Sequence, residues 1–220
     1  SRGLGDVYKR QNQVRALMSS RFEVFDNLEL LTLLEPYCRE GLVRWEFIDE
    51  LTLHISISFP NLSEEIRPGD IVERGIHISN SEVGVRSVTI AGYVYRLVCK
   101  NGAIGSGDGG GFYRFRHLGD HQQIKQMVEA AIQSTMLEAE KITAKFKRAL
   151  RVEIEKPFDF VERIAKEKNL TKEEFKAVLD SMLEIKGSTL FDLSQAFSQS
   201  AKKFSGEKSF EFQRIATDIL

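Results

Sequence analysis

The sequence has few of the features that would indicate a chemical activity directly. Its two cysteines, Cys38 and Cys99, lie far apart, without CxxC spacing and without a neighbouring cluster of histidines. A disulfide framework and a structural zinc site are therefore not expected. No spacing of carboxylates, histidines or hydroxyl groups resembles a catalytic triad, a paired-carboxylate site or a metal-binding motif. We predict no catalytic residue, no metal site and no cofactor.

Long apolar runs are absent as well. No segment approaches the roughly 20 consecutive apolar residues that a transmembrane helix needs. Hydrophobic residues form 42% and charged residues 29% of the chain, as in ordinary globular proteins. These values predict a soluble cytoplasmic protein without a membrane partner, and 220 residues are enough to enclose a sizeable core.

The sequence of the first eleven residues, SRGLGDVYKRQ, indicates that they have a different origin from the rest of the chain. Asp6 to Gln11 read as one translated frame of a transposase-type sequencing adapter. Segments of this kind do not contribute to a fold. We therefore expect residues 1–11 to lie outside the fold, residues 12–155 to form a core domain and residues 156–220 to form a helical C-terminal region.

The spacing of apolar residues changes along the N-terminal half. Intervals of three to five residues predict a helix from Val14 to Tyr37. Alternation then predicts four strands, over residues 42–48, 52–58, 71–79 and 85–100. We expect Phe59 and Pro60 to end the second strand, residues 61–67 to form a polar connection and Asn101-Gly102 to form a turn.

Helical spacing returns in the second half of the chain. The apolar residues from Asp120 to Glu155 predict one long helix, and Pro157 is placed to begin a short one. Capping patterns begin two further helices, at Thr171 and at Ser188 or Thr189, and a last helix covers residues 207–220. We predict an α+β fold, in which a small antiparallel sheet packs against the long helix and a helical region follows.

The net charge of -1 conceals a segregation of charge along the chain. Residues 12–85 carry 6 lysines and arginines against 13 aspartates and glutamates, whereas residues 86–151 carry 11 against 5. Residues 152–220 are close to balanced, with 11 against 13. A basic block of this kind indicates a polyanionic partner, unless the fold distributes its charges over unrelated faces.

A glycine-rich segment and a basic aromatic strand lie together in this block. Gly105–Gly111 lacks the Lys-Ser/Thr pair of a P-loop, so we interpret it as a mobile flap or a tight connection. In the strand that follows, alternation places Arg114 and Arg116 on one face and Tyr113 and Phe115 on the other. Guanidinium groups pair with phosphates and aromatic rings stack on bases, so the pattern is typical of single-stranded nucleic-acid binding. It also fits an edge strand whose aromatic rings are buried.

Basic residues on the long helix extend the pattern. Lys141, Lys145 and Arg148 have i, i+4, i+7 spacing and form one stripe, which is either a solvated face or part of a binding surface. The predicted nucleic-acid-binding residues are the basic and aromatic side chains of this part of the chain, namely Arg86, Arg96, Lys100, Tyr113, Arg114, Phe115, Arg116, His117, Lys141, Lys145 and Arg148.

Two turn-like motifs allow a different interpretation. NSEVG, which begins at Asn80, and CKNG, which begins at Cys99, offer short donors and acceptors beside the strands. Hydrogen-bonded turns explain both motifs without a ligand. The alternative hypothesis is a nucleotide or small-ligand binding protein or enzyme, whose pocket is formed by Asn80, Ser81, Asn101 and His117.

Several short motifs follow one another in a recognisable order. They are Gly69-Asp70, Arg74-Gly75-Ile76, the NSEVG motif at residues 80–84, RLVCKNG at residues 96–102 and RFRH at residues 114–117. In this order they resemble a phage- and plasmid-associated family called domain of unknown function 932. Residues 189–197 and 213–216 resemble the closing helices of that family, so the resemblance covers most of residues 12–220. It implies a mobile-element protein in a bacterial host cell and supplies no established catalytic residue.

We therefore hypothesise that the protein binds single-stranded DNA during replication or recombination of a phage or plasmid. A ligand-binding protein or enzyme with the pocket described above is the second hypothesis. The third is an interaction protein that forms a homo-oligomer through its helical C-terminal region.

Overall fold

The computed structural model describes residues 7–10, 13–106 and 111–220, with side chains from residue 16 onwards. Residues 1–6 and 11 of the adapter-like segment lie outside the described residues, as do residue 12 and residues 107–110 of the predicted flap. Strand β1 (Val7–Arg10) pairs antiparallel with β2 (Gln13–Leu17). The adapter origin of the first eleven residues stays a prediction.

The described residues form an α+β fold, which confirms the predicted class. The other strands are β3 (Leu42–Ile48), β4 (Leu53–Arg67), β5 (Asp70–Asn80), β6 (Val88–Arg96), β7 (Asn101–Ile104) and β8 (Phe112–Phe115). The helices are α1 (Asn27–Glu40), α2 (His121–Ala149), α3 (Pro157–Glu167), α4 (Lys172–Ile185), α5 (Leu190–Ser200) and α6 (Gly206–Asp218). A 3-10 turn, Ala201–Lys203, follows α5. None of the described helices is long and apolar enough to cross a membrane.

Strands β3 to β8 form one antiparallel sheet in the order β3-β4-β5-β6, with β7 and β8 both paired to β6. β8 pairs with the first half of β6 and β7 with the second half. Gly92 lies between them: it donates its N–H to the carbonyl of Gly111 (2.8 Å) and accepts from the N–H of Gly105 (2.7 Å). β7 and β8 are therefore two parts of one interrupted strand. The glycine-rich segment between them begins and ends beside a single residue of β6, Gly92.

One face of the sheet is apolar and packs against α1 and α2. Its buried core includes Ile57 and Ile76 from neighbouring strands, Leu30 and Leu34 from α1 and Val128 from α2. Because side chains alternate along a strand, these residues leave the intervening positions on the opposite face. That opposite face is polar and aromatic, and α6 packs against it.

A second cluster joins the helical region to the sheet. Val72 and Val94 of the sheet and Phe146 of α2 pack with residues of α5 and α6 such as Phe197 and Phe212. The predicted capping box at Thr171 is present and begins α4, and Thr189, one of the two residues predicted to cap the next helix, begins α5 with a capping box. Helix α6 therefore covers the polar face of the sheet, whereas α5 packs beside α2 and against β7.

The predicted helix from Val14 is wrong for its first half. Helix α1 begins at Asn27, where the side chain of Asp26 accepts a hydrogen bond from the backbone N–H of Leu28 (2.7 Å). Before it, Gln13–Leu17 is strand, and Leu17 is 75% exposed. Leu17 contributed to the helical spacing although it belongs to no buried face.

Two predicted strand ends are also wrong. β4 continues through Pro60 to Arg67, because its pairing with β5 shifts register between Ser58 and Ser63 and a proline is tolerated in such an irregularity. The turn after β6 is 97–100, and Asn101-Gly102 begins β7. Gly102 is required for close approach, since a Cβ there would overlap the ring of Tyr93.

A buried ion pair connects the sheet to α5. Arg96 donates from Nε (2.6 Å) and a terminal nitrogen (2.5 Å) to the two carboxylate oxygens of Asp70, in a bidentate arrangement. Both side chains are buried, and the guanidinium of Arg96 lies 5.2 Å from the ring centroid of Phe191. The Arg96 guanidinium therefore holds the start of β5 to the end of β6 and contacts α5 through Phe191.

We expect Asp70→Asn to lower the free energy of unfolding by about 3–5 kcal/mol, because it leaves Arg96 buried without its counter-charge. Arg39→Ala, which removes an exposed i,i+4 pair with Glu35, is the control and should cost less than about 0.5 kcal/mol. Urea denaturation followed by circular dichroism measures both. Equal losses in the two variants would contradict a structural role for the Asp70–Arg96 pair.

Candidate functional site

The face of the sheet that α6 covers carries buried polar side chains. His54 and Ser56 of β4 and His77 and Ser79 of β5 all point to this face, and Ser56 is the register partner of His77. All four are fully buried. Phe210 of α6 packs against both imidazoles, with ring centroids 5.2 Å from His54 and 4.9 Å from His77. Burial of such a face requires hydrogen bonds between its members.

A continuous chain of hydrogen bonds satisfies this requirement for His54, Ser56 and His77, whereas Ser79 Oγ has no partner among the described residues. Ser56 Oγ lies 2.9 Å from His77 Nδ1, His77 Nε2 lies 3.5 Å from His54 Nδ1, and His54 Nε2 lies 3.0 Å from Glu207 Oε1. One assignment of protons fits every link: Ser56 donates to His77, His77 to His54, and His54 to the Glu207 carboxylate. Both imidazoles are then neutral.

The electrostatic environment agrees with neutral imidazoles. Burial, together with the nearby positive charge of Arg86, lowers the pKa of His54 to about 3. Burial also lowers the pKa of His77 well below its ordinary value. The order Ser-His-His-Glu resembles a catalytic relay, but the Ser56 hydroxyl is fully buried and out of reach of a substrate. In the described residues, no group of three or more His, Cys, Asp or Glu side chains is arranged to hold a metal.

Beside this chain lies a cavity of about 330 Å³ that we call the arginine cleft. Three arginines from different parts of the fold line it: Arg86 from the segment before β6, Arg114 from β8 and Arg214 from α6. The rest of the lining consists of Val85, Thr89, Phe112, Glu207 and Phe210. The antiparallel pairing of β6 with β8 and the packing of α6 on the sheet are what bring them together.

Aromatic rings hold two of the guanidinium groups. The Arg86 guanidinium lies 4.6 Å from the ring centroid of Phe210, and that of Arg214 lies 4.9 Å from Phe112 and 5.8 Å from Phe210. Arg86 also donates from Nε to Glu207 Oε1 (2.7 Å), the same oxygen that accepts from His54. The cleft is therefore coupled to the buried histidines through Glu207.

The cleft has an excess of positive charge. Burial, together with repulsion from Arg114 and Arg214, lowers the pKa of Arg86 to about 10. Nε of Arg214 is buried and has no hydrogen-bond partner among the described residues. The lining contains three guanidinium groups and one carboxylate, Glu207, which forms a bidentate ion pair with Arg86. Like charges gathered in this way favour an anion between them.

The sequence profile of the family described as Domain of unknown function (DUF932) matches residues 16–207. The chain belongs to the DUF932 family. This confirms the resemblance inferred from the order of the motifs. No curated protein and no solved structure matches the chain. The match includes Arg86 and Arg114 and ends at the start of α6, before Arg214.

Of the predicted nucleic-acid-binding residues, only Arg86 and Arg114 line the arginine cleft. Arg116 is exposed just beyond the end of β8, and Lys100 lies in the turn between β6 and β7. Arg214 was not among the predicted residues, because nothing local shows that α6 packs beside β8. The QRIA motif at residues 213–216, which resembles the closing helix of DUF932 chains, was the available signal.

The aromatic residues predicted for base stacking face the other way. Tyr113 donates to or accepts from Ser134 of α2 (2.9 Å), and Phe115 packs in the core between the sheet and α2. His117 lies 3.2 Å from the carbonyl of Glu23 and stacks on Phe22 with centroids 4.9 Å apart. These contacts use the rings for packing within the fold, which is the edge-strand interpretation of FYRFRH.

The basic stripe of α2 is separate from the cleft. Lys141 and Arg148 are exposed and Lys145 is half-buried on a helix that packs against the apolar face of the sheet. The arginine cleft lies on the polar face. The basic block of the sequence is therefore divided between two sides of the molecule.

The four residues of the predicted ligand pocket are also divided. Asn80 donates to the carbonyl of Phe25 (2.8 Å), and Ser81 Oγ accepts from the N–H of Val85 (3.1 Å). His117 contacts the same N-terminal segment as Asn80. Asn101 instead donates to Gln195 of α5 (3.1 Å). Asn101 therefore lies apart from the other three predicted pocket residues.

We expect the stability of the protein to fall as the pH decreases from about 6.5 towards 3. The folded-state pKa values of His54 and His77 lie below the ordinary value of 6.5, so protonation favours the unfolded chain. Each histidine contributes up to about 1.4 kcal/mol per pH unit in this window. Urea denaturation at several pH values should show the slope, and His54→Gln should reduce it.

His121 provides the control for this experiment. It is paired with Glu29 and Glu23, and the hydrogen bond with Glu29 is the main cause of its raised pKa. His121→Gln therefore removes a small stabilisation present at low pH and lost as the pH rises, the opposite sign. A pH dependence that is unchanged in His54→Gln would contradict the assignment of buried neutral imidazoles.

Proposed function

We propose that this protein binds the phosphodiester backbone of single-stranded DNA in the arginine cleft. The observation that carries the proposal is the convergence of Arg86, Arg114 and Arg214 on one recess. As part of the same proposal, we assign this binding to replication or recombination of phage or plasmid DNA, the setting that the sequence resemblance implies.

The chemistry of the recess favours a phosphate group. A guanidinium presents several N–H donors in a plane and pairs with phosphate in bidentate geometry. Arg214 has a buried Nε without a partner among the described residues, and a bound phosphate oxygen would accept its hydrogen bond. A phosphate would also offset the repulsion among the three arginines, which contributes to the lowered pKa of Arg86.

The aromatic walls preorganise the recess for anion binding. Stacking on Phe112 and Phe210 restricts the guanidinium groups of Arg214 and Arg86 before any ligand is present. Arginine side chains otherwise lose considerable conformational entropy when they are fixed by a ligand. Because part of this side-chain entropy is already lost in the free protein, less is lost on binding, and the affinity for the anion increases.

Recognition of the backbone, without bases, follows from the orientation of β8. Tyr113 and Phe115 face α2 and are used in packing, so the strand presents Arg114 to the cleft without a stacking platform. A recess of about 330 Å³ suits the phosphates of one strand better than a duplex surface. The binding should therefore depend strongly on salt and weakly on base sequence.

We expect Arg114→Ala combined with Arg214→Ala to weaken binding of labelled oligothymidylate by about tenfold or more, since each charged hydrogen bond that is removed contributes about 1.5–3 kcal/mol. The slope of log affinity against log salt should decrease in magnitude by about 0.7 for each phosphate that the variant no longer neutralises. Fluorescence anisotropy over a salt titration measures both quantities.

Two further variants sharpen this experiment. Lys141→Ala combined with Arg148→Ala removes the same amount of charge from the α2 stripe and should leave affinity and slope nearly unchanged. Glu207→Gln keeps an oxygen that accepts from His54 but removes the negative charge from the cleft lining, so it should tighten binding several-fold. The proposal fails if the α2 variant loses as much affinity as the cleft variant, or if wild-type affinity is insensitive to salt.

A further inference from the structure

A second cavity of about 210 Å³ lies between α6, the end of α5 with its 3-10 turn, and the turn 97–100. We call it the amide cavity. Ser209 and Gln213, one helical turn apart, line it from α6. Glu207, Phe210 and Arg214 of the same helix line the arginine cleft instead. The two cavities therefore lie on different flanks of α6 and share no lining residue.

Two amide groups in this cavity have unsatisfied hydrogen-bonding capacity. Asn101 and Gln213 are each 4% exposed, and Asn101 Oδ1 and Gln213 Oε1 have no hydrogen-bond partner among the described residues. Their amide nitrogens are used, by Gln195 Oε1 at 3.1 Å and by Ser209 Oγ at 3.4 Å. Buried polar groups are almost always hydrogen-bonded, so two unpartnered ones in one cavity call for an explanation.

Reversing a side-chain amide would still leave one of its polar groups without a hydrogen-bond partner. A side-chain amide presents an oxygen on one side and an NH2 group on the other, and the two are exchanged by a rotation of 180°. If Gln213 is reversed, its oxygen accepts from the Ser209 hydroxyl and its NH2 group becomes the unpartnered one. The cavity therefore offers two amide edges to a ligand that carries donors and acceptors in a plane.

The rest of the lining adds aromatic rings and positive charge. Trp45 and Tyr95 contribute rings, and Lys100 and Lys202 are exposed at the opening. Lys100 adopts a left-handed backbone conformation with φ of 49°, which fixes the turn that carries it. Lys202 donates to the carbonyl of Cys99 and so remains beside the same turn. Lysine ammonium groups provide point charges that suit a phosphate.

We propose that the amide cavity binds a nucleoside monophosphate. The base would hydrogen-bond with the amide edges of Asn101 and Gln213, and the phosphate would pair with Lys100 and Lys202 at the opening. Pockets that enclose a whole drug-sized ligand have volumes of about 300–1,000 Å³. At about 210 Å³ this cavity encloses a base and leaves the sugar and phosphate at the opening. The inference is independent of DNA binding at the arginine cleft.

Isothermal titration calorimetry of the full chain with the four common nucleoside 5′-monophosphates and ribose 5-phosphate tests the proposal. At least one monophosphate should bind with a Kd below about 1 mM, and ribose 5-phosphate should bind at least about tenfold more weakly. Gln213→Leu should weaken the monophosphate about tenfold or more, since removal of a buried hydrogen bond leaves its partner unsatisfied. Gln123→Leu, an exposed glutamine on α2, is the matched control and should have no effect.

Three results would overturn the proposal: no heat from any monophosphate, equal affinity for ribose 5-phosphate, or unchanged affinity in Gln213→Leu. Thermal unfolding establishes that Gln213→Leu is folded, and Lys202→Ala serves as a second variant that should weaken every monophosphate equally. The Arg114→Ala, Arg214→Ala protein should bind the monophosphate like wild type. Loss of binding in that variant would place the ligand in the arginine cleft and refute the amide cavity.

Discussion

A sheet face with buried polar side chains is stable only when those side chains have hydrogen-bond partners, and this constraint organises the structure. His54, Ser56 and His77 lie on such a face, and α6 covers them. Glu207 at the start of α6 terminates their hydrogen-bond chain. The same carboxylate oxygen accepts from Arg86. The requirement to satisfy the buried histidines therefore fixes where α6 packs, and with it one wall of the arginine cleft.

The position of α6 also defines both candidate binding sites. One flank of the helix contributes Phe210 and Arg214 to the arginine cleft, and another contributes Gln213 to the amide cavity. The β strands contribute the opposite walls, with Arg114 from β8 and Asn101 from β7. The interrupted strand that bonds to Gly92 carries both of these residues. Local sequence determines whether each of these side chains lies on a strand or a helix. Only the packing of α6 brings the side chains of the two walls together.

Features set by neighbouring residues were predictable from the sequence. The capping boxes at Thr171 and Thr189 mark helix starts, and apolar alternation identifies β3 to β6 and the α+β class. Long-range features were not predictable. His54 and His77 alternate with apolar residues as solvent-facing positions do, and only the burial of that face by a helix more than a hundred residues later reverses the interpretation. For the same reason Arg86 and Arg114 were predicted as binding residues, whereas Arg214, on that distant helix, was not.

We propose that Arg86, Arg114 and Arg214 together hold a phosphate backbone. Arginine Nε–Hε resonances in a nuclear magnetic resonance titration with a short single-stranded oligonucleotide test it most directly, because each guanidinium reports its own hydrogen bonds. We expect the signals of Arg86, Arg114 and Arg214 to shift together with one apparent affinity, while that of Arg148 on α2 stays in place. Shifts confined to Arg148 and its neighbours, with the three cleft signals unchanged, would contradict it.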